Sequence, residues 1–423
     1  MLKTNDTSMA TPIKVVVTGL GVVAPNGIGK EAFWETLLAG RSGIGPITLF
    51  DASEHPCRIA GEVKNFDLNA LVEGVNGNLK RIARQTQLAL AAASLALKDA
   101  RVSPDSLGQD TPFPLLLGIG CAPMDIIEEG MSRLLRHGPM RVPSYTVHSG
   151  QPHHAASHVA KHISVLTQSI TISSACAAGL DSIAMAADRI RSGTASIALC
   201  GGTDAPISPM TFACLAKTGL LSLRNDTPEK ASRPFDMDRD SGVISEGAGM
   251  VVLESLPHAL ARNATIYLEV KGHASCVDPD MDISGCGLEY TMLQSLANAC
   301  MRAEAIDYIS MHGPGHPVMD RIETELVKKV FGTHAYRIPA SSIKGVTGNP
   351  LSAAGAMQVI ACALSMRDNL IPPTANLEKP DPACDLDHVP LTPRHQRIDT
   401  ALINSHGIGG GNCSMIVQRT QRS

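Results

Sequence analysis

Aromatic side chains are scarce in this 423-residue chain, with one Trp, five Tyr and seven Phe making up 3% of it. That scarcity argues against the base-stacking platforms that hold single-stranded nucleic acids. No excess of charge compensates. Its 36 basic residues face 40 acidic ones for a net charge of −4, so the chain has no general attraction for nucleic acid or an anionic membrane. Long apolar runs are missing too. Residues 197–200 and 250–253 are typical of the apolar stretches present, far short of the roughly 20 residues that a membrane span needs. Residues 1–11 lack an apolar core of signal-peptide length and read as a frayed leader. Eleven cysteines are scattered without a C-x-x-C pair, which fits reduced thiols in a cytosol better than a disulfide framework or a zinc site. These absences describe a soluble, cytoplasmic protein.

What the chain has is length, 44% hydrophobic content and 37 glycines, enough for a large core divided between two domains or fused halves. Short β-branched runs ending in glycine alternate with alanine-rich helical stretches, the pattern of an α/β protein with buried sheets. Three runs recur in the same order. Residues 13–18 correspond to 265–270, and 169–172 with the following helix to 338–342 with a helix from about 350 to 366. Residues 195–202 correspond to 400–411. Duplication predicts two halves, 12–258 and 259–423, with a site where equivalent strand ends meet. Periodicity alone leaves chance similarity between α/β units equally open.

Cys176 stands in Ser173-Ser174-Ala175-Cys176-Ala177-Ala178-Gly179, between a predicted strand and a predicted helix. A thiol at a helix N-terminus feels the helix dipole and unpaired backbone N–H groups, which favour the nucleophilic thiolate. A buried structural cysteine is the commoner role for any one cysteine. The surrounding sequence changes the balance.

Residues 173–183 resemble the nucleophile elbow of β-ketoacyl-acyl carrier protein synthases, above all the synthase II type. The resemblance continues in Val15-Val16-Val17-Thr18-Gly19-Leu20-Gly21, Arg233-Pro234-Phe235-Asp236, Asp238-Arg239-Asp240 and Gly242-Val243-Ile244-Ser245-Glu246-Gly247-Ala248-Gly249. Asn404-Ser405-His406-Gly407-Ile408-Gly409-Gly410 closes it. It implies a five-layered αβαβα thiolase fold and Claisen condensation of an acyl group held on Cys176 with a malonyl or related thioester. The implied setting is fatty-acid or polyketide-like biosynthesis. The implied substrates are thioesters of phosphopantetheine or coenzyme A, delivered by an acyl carrier protein or as acyl-CoA, with no permanent cofactor. A homodimer is the implied assembly, and a heterodimer with a related ketosynthase is an alternative.

By the same register His312 is the first catalytic histidine, supported by Asp320 and Glu323. Lys344 is the active-site lysine, expected to pair with Glu323, and the N–H of Ile408 is a second oxyanion-hole donor beside that of Cys176. Four positions depart from the family. Asn349 replaces the second histidine; its amide can donate a hydrogen bond but cannot carry a proton. Asn349-Pro350 also reads as a helix start, an N-cap followed by proline. Pro314 and His316 replace threonines that hold the pantetheine arm, and His406 stands where the gating phenylalanine is expected. His312, His316 and His406 are expected close together, yet no ligand spacing on one element marks a metal site. A non-decarboxylating acyltransferase or cyclase, and a non-catalytic partner subunit, are the alternative readings. The presence of Cys176 argues against the partner subunit.

Overall fold

The structure, a computed structural model, describes residues 13–74, 79–107, 111–279 and 285–420. The leader expected over residues 1–11 and the segment 280–284 lie outside the described residues. Ten strands form the path of the main sheet: β1 Val15–Ala24, β2 Phe113–Gly118, β3 Thr167–Ile172, β4 Ile197–Asp204, β5 Gly247–Ser255, β6 Leu268–Val277, β7 Tyr308–Ser310, β8 Ala340–Ser341, β9 Thr400–His406 and β10 Gly411–Gln418. Outward from its middle, one wing runs β1, β5, β4, β2, β3 and the other β6, β10, β9, β7, β8. Both wings therefore use the order first, fifth, fourth, second, third. They meet where β1 and β6 pair antiparallel, Val15 opposite Val270 and Val17 opposite Leu268.

Six helices cover the sheet: α1 Arg84–Ala100, α2 His153–Ile163, α3 Ala178–Arg191, α4 Cys286–Asn298, α5 Pro317–Phe331 and α6 Ala353–Asp368. Alternation along the strands separates the layers, because successive side chains point to opposite faces. Leu115, Leu117, Leu199, Met250 and Val252 pack with α1 and α2. Their neighbours Leu116, Cys200, Val251 and Leu253 join Leu268, Val270, Ile403 and Met415 of the other wing around α3 and α6. Ile309, Leu402 and Ile416 face α4 and α5. The result is the five-layered αβαβα architecture, with α3 and α6 as the middle layer. Among the described residues no helix is long and apolar enough to cross a membrane.

Helix α6 is buried at every position from Ala353 to Met366, as a central helix packed between the two wings of the sheet must be. It starts later than expected. Asn349 does not cap it: its N–H donates to the Val243 carbonyl at 2.7 Å and its carbonyl accepts from Ser245 at 3.0 Å, which holds it extended. Leu351 then takes a φ of +47°, so the helix begins only after Ser352. The tertiary strand contact has overridden the local Asn-Pro signal.

The two central helices cross closely. A Cβ on Gly179 would lie 2.1 Å from the Ser352 carbonyl oxygen, a backbone atom that cannot swing aside. Gly179→Ala is expected to destabilise the protein by about 2 kcal/mol, since such overpacking outweighs the helix-propensity gain of about 1 kcal/mol. The midpoint of urea unfolding measures it; an unchanged or higher midpoint would contradict the tight crossing.

Candidate active site

Cys176 lies in a single 3-10 turn, Ala175–Ala177, between β3 and α3. Ala175 has a φ of +53°, a left-handed conformation that L side chains adopt at a cost. Contacts across the molecule hold the elbow. Ser405 donates to the Cys176 carbonyl at 3.0 Å, and buried Asp181 accepts from Ser174 and from Ser275 on β6, the latter at 2.7 Å. The β9–β10 hairpin approaches so closely that a Cβ on Gly407 would sit 3.0 Å from the Cys176 nitrogen. Backbone N–H groups of Ile408 and of Cys176 itself favour the charged form of the sulfur.

Electrostatically the thiol differs from expectation. Burial raises its pKa, and the Lys344 charge and the Ile408 N–H offset only part of that rise. The helix terminus alone does not make a resting thiolate. Nearby Asp204, which the sequence reading passed over, collects N–H groups from Gly120, Cys121 and Ser352 at 2.8 to 3.1 Å. Burial pushes its carboxyl up to about 7. An acid ending the apolar run 197–202 was the available signal.

His312 follows β7 and is buried. Glu323, from α5, accepts from the backbone N–H groups of His312 and Gly313, each at 2.8 Å, and from Asn404 at 3.2 Å. Lys344 donates to the His312 carbonyl and lies 3.3 Å from its Nδ1. The lysine therefore braces the histidine directly instead of making the expected pair with Glu323, whose oxygens hold backbone. Burial lowers Lys344 to about 8 against the opposing pull of Cys176, Glu323 and Asp320. His312 is driven well below its ordinary value by burial, then by Lys344 and His406, so its imidazole is neutral. With the ammonium against Nδ1, the ring proton resides on Nε2.

Other buried groups brace this loop. Asp320 accepts from Phe235 at 2.8 Å and Gly315 at 3.1 Å, beside Arg239 at 3.4 Å. The Arg-Pro-Phe-Asp and Asp-Arg-Asp motifs thus have a structural task. Gln358, on α6, donates to the carbonyls of Ser310, Met311 and Asn404 at 3.0 to 3.2 Å. It clamps the ends of the two strands that carry His312 and His406.

The replaced positions separate. The half-buried Asn349 makes no side-chain hydrogen bond among the described residues, and its Oδ1 is buried without a partner. His316 instead caps α5, its Nδ1 accepting from Val318 at 3.2 Å and Met319 at 3.4 Å. It does not join the other two histidines. His406 and His312 do meet, with ring centroids 6.1 Å apart. His406 is buried and bonded to Asn412 at 2.6 Å. The exposed apolar side chain on that hairpin is Ile408, at 49%. Among the described residues no group of three or more His, Cys, Asp or Glu is placed to hold a metal ion.

A buried cysteine on a strained strand-to-helix elbow, sharing the charge of Lys344 with a neutral histidine in the middle of five αβαβα layers, defines a thiolase-fold condensing enzyme. The chain belongs to the β-ketoacyl synthase family: the model for the Beta-ketoacyl synthase N-terminal domain matches residues 13–259 and that for the C-terminal domain residues 267–378. It is 38% identical to 3-oxoacyl-acyl-carrier-protein synthase 2 of Synechocystis sp., over 96% of this chain and 98% of the relative. It is equally 38% identical to the tetracenomycin polyketide synthase ketoacyl synthase alpha subunit of Streptomyces glaucescens, covering 97% and 98%. Among solved structures, a type II polyketide ketosynthase in complex with its acyl-carrier protein and bound to the hexaketide matches with a TM-score of 0.89 at 32% identity. That match covers 97% of this chain and all of the other. The ishigamide ketosynthase/chain length factor matches with a TM-score of 0.90 at 32% identity and the same coverage. The reaction is a Claisen condensation of a cysteine-bound acyl group with a second thioester, in fatty-acid or polyketide biosynthesis.

Lys344 supplies the main charge that favours a Cys176 thiolate. Lys344→Met should slow alkylation of Cys176 by iodoacetamide about tenfold at pH 7, one pKa unit of thiol acidity being about 1.4 kcal/mol. Lys344 is protonated below about 8 and neutral above it, so the difference should narrow as pH rises through that point. Equal rates at pH 7 would exclude the lysine's charge as the cause.

Proposed function

We propose that Cys176 is the acyl-bearing nucleophile of a cytoplasmic β-ketoacyl synthase-type acyltransferase whose donor is an acyl group on a carrier protein's phosphopantetheine arm or on coenzyme A. The sulfur attacks the donor thioester, the donor's C–S bond breaks, and the proton of Cys176 leaves with the pantetheine thiol. N–H groups of Cys176 and Ile408 receive the tetrahedral oxyanion. The observation that carries this reading is the elbow itself: Cys176 sits on the 3-10 turn that leads into α3, with Gly407 of the β9–β10 hairpin against its backbone nitrogen.

The second thioester places its carbonyl oxygen between Nε2–H of His312 and the amide of Asn349. Support for the second donor is that its side chain makes no hydrogen bond among the described residues; the atom buried without a partner is the acceptor Oδ1, so the amide must present Nδ2 to the thioester oxygen. Loss of carbon dioxide from a malonyl unit leaves the enolate, whose C2 attacks the Cys176 thioester and releases the β-ketoacyl product. Neither donor needs to accept a proton in this step. Lys344, Glu323, Asp204 and Gln358 act by positioning. The working assembly in this reading is a homodimer of the chain, each copy folded as halves 12–258 and 259–423, with pairing to a related ketosynthase as the alternative.

Intact-mass spectrometry with a panel of acyl-carrier proteins should show an acyl adduct that disappears in Cys176→Ala. Adding malonyl-carrier protein labelled at its free carboxyl should discharge the adduct with release of labelled carbon dioxide. Absence of the adduct would overturn the assignment of Cys176. An adduct with no release would overturn the decarboxylating step alone.

A further inference from the structure

His406 ends β9 opposite Asn412 on β10. The amide of Asn412 is oriented by its own contact: its Nδ2 donates to the Gly410 carbonyl at 2.8 Å, an atom that can only accept. Oδ1 must therefore be the atom facing Nδ1 of His406 at 2.6 Å. An amide oxygen is an acceptor, so Nδ1 carries the hydrogen and the lone pair of the neutral ring is on Nε2. Among the described residues Nε2 has no hydrogen-bond partner.

His312 is the complement. Lys344 occupies its Nδ1 and leaves a hydrogen on Nε2. Both rings line one narrow cavity with Glu323, Leu288, Met319 and Ile322, and their planes are inclined at 73°. Glu323 is spent on two backbone N–H groups. One imidazole thus offers a donor to the cavity and the other an acceptor, which is the equipment for removing a proton beside a carbonyl.

We propose that His406 is a catalytic base that enolises the second thioester, so that this site also takes nucleophiles with an acidic C2–H, such as β-keto thioesters, without decarboxylation. The proposal rests on the reading of Cys176 as the acyl carrier. The C2–H bond breaks and its proton goes to Nε2 of His406. The electron pair forms the enolate, whose oxygen is held by Nε2–H of His312. C2 then bonds to the acyl carbon on Cys176 as the C–S bond breaks, and the proton on His406 passes to the departing sulfur. Asn349 cannot perform the proton step; the second imidazole of the site stands at 406 instead.

The test is deuterium exchange at C2 of acetoacetyl-N-acetylcysteamine in D2O, followed by NMR against the rate without enzyme. It uses full-length Cys176→Ala protein, so that thiol chemistry does not contribute. Exchange above background is expected, falling about a hundredfold when His406→Phe is added, in the range general-base catalysis supplies. His406→Ala should regain part of the rate with added imidazole, a readout that loss of a structural contact would not give. If one variant fails to fold by thermal melting, the other still decides. No exchange above background, or equal exchange with and without His406, would overturn the proposal. Acylation of the wild-type protein, measured separately, reports on the Cys176 reading: its failure alongside His406-dependent exchange would sink that reading and leave the base standing.

Discussion

The site depends on the crossing of α3 and α6 in the middle layer. Ser352 is the fixed point: its N–H is held by Asp204, its hydroxyl by the carbonyls of Gly118 and Thr203, and its own carbonyl fits against Gly179. Only a residue without a side chain lets the two backbones come so near. Cys176 precedes Gly179 by three residues and Asn349 precedes Ser352 by the same interval. The approach of the two helices therefore brings the Cys176 elbow and its counterpart from the other wing to the same end of the central layer. The antiparallel pairing of β1 with β6 relates the wings in the same sense.

Around this crossing the protein buries many polar groups and satisfies them mainly with backbone. Glu323 holds the His312 loop, Asp320 the Phe235 and Gly315 turns, Asp204 the Gly120–Cys121 turn, and Gln358 three strand-end carbonyls. Each bond fixes a loop that the sheet alone would leave free, and an unpaired partner in so dry a place would cost several times what the bond contributes. Lys344 is the exception. Buried with its ammonium on a carbonyl and a ring nitrogen, it adds to the burial that keeps His312 neutral and offsets part of the burial that disfavours a thiolate at Cys176. Two opposite demands, a neutral imidazole and an incipient anion, are met by one cation placed between them.

Strand alternation made the α/β class legible, and the recurrence of three segments pointed to paired wings, because both are one-dimensional traces of burial. The order of the five layers came from the family resemblance. The positions drawn from that register, Cys176, His312, Lys344, Glu323, Ile408 and His406, lie together; His316 does not, because a histidine before Pro317 is used locally as a helix cap. Local signals failed where distant contacts decided. Asn349-Pro350 reads as a helix start, but pairing with 243–245 extends it. Asp204, Gln358 and Asn412 were passed over because each partner set is brought together by the fold and leaves no spacing in the sequence.

Replacement of a histidine by Asn349 removes one capacity, accepting a proton, and leaves another, donating a hydrogen bond. A site for decarboxylation can tolerate that loss, since carbon dioxide carries away no proton and the enolate needs only donors. A site that forms its enolate by breaking C–H cannot. The chain retains a second imidazole at a different position, on a strand end braced by Gln358, with its tautomer set by Asn412. His406 is 8% exposed; its Nδ1 is paired with Asn412, and its Nε2 has no partner among the described residues. The physical case for a ligand at Nε2 is positional: a polar edge that Asn412 orients, on a ring that lines the same cavity as His312.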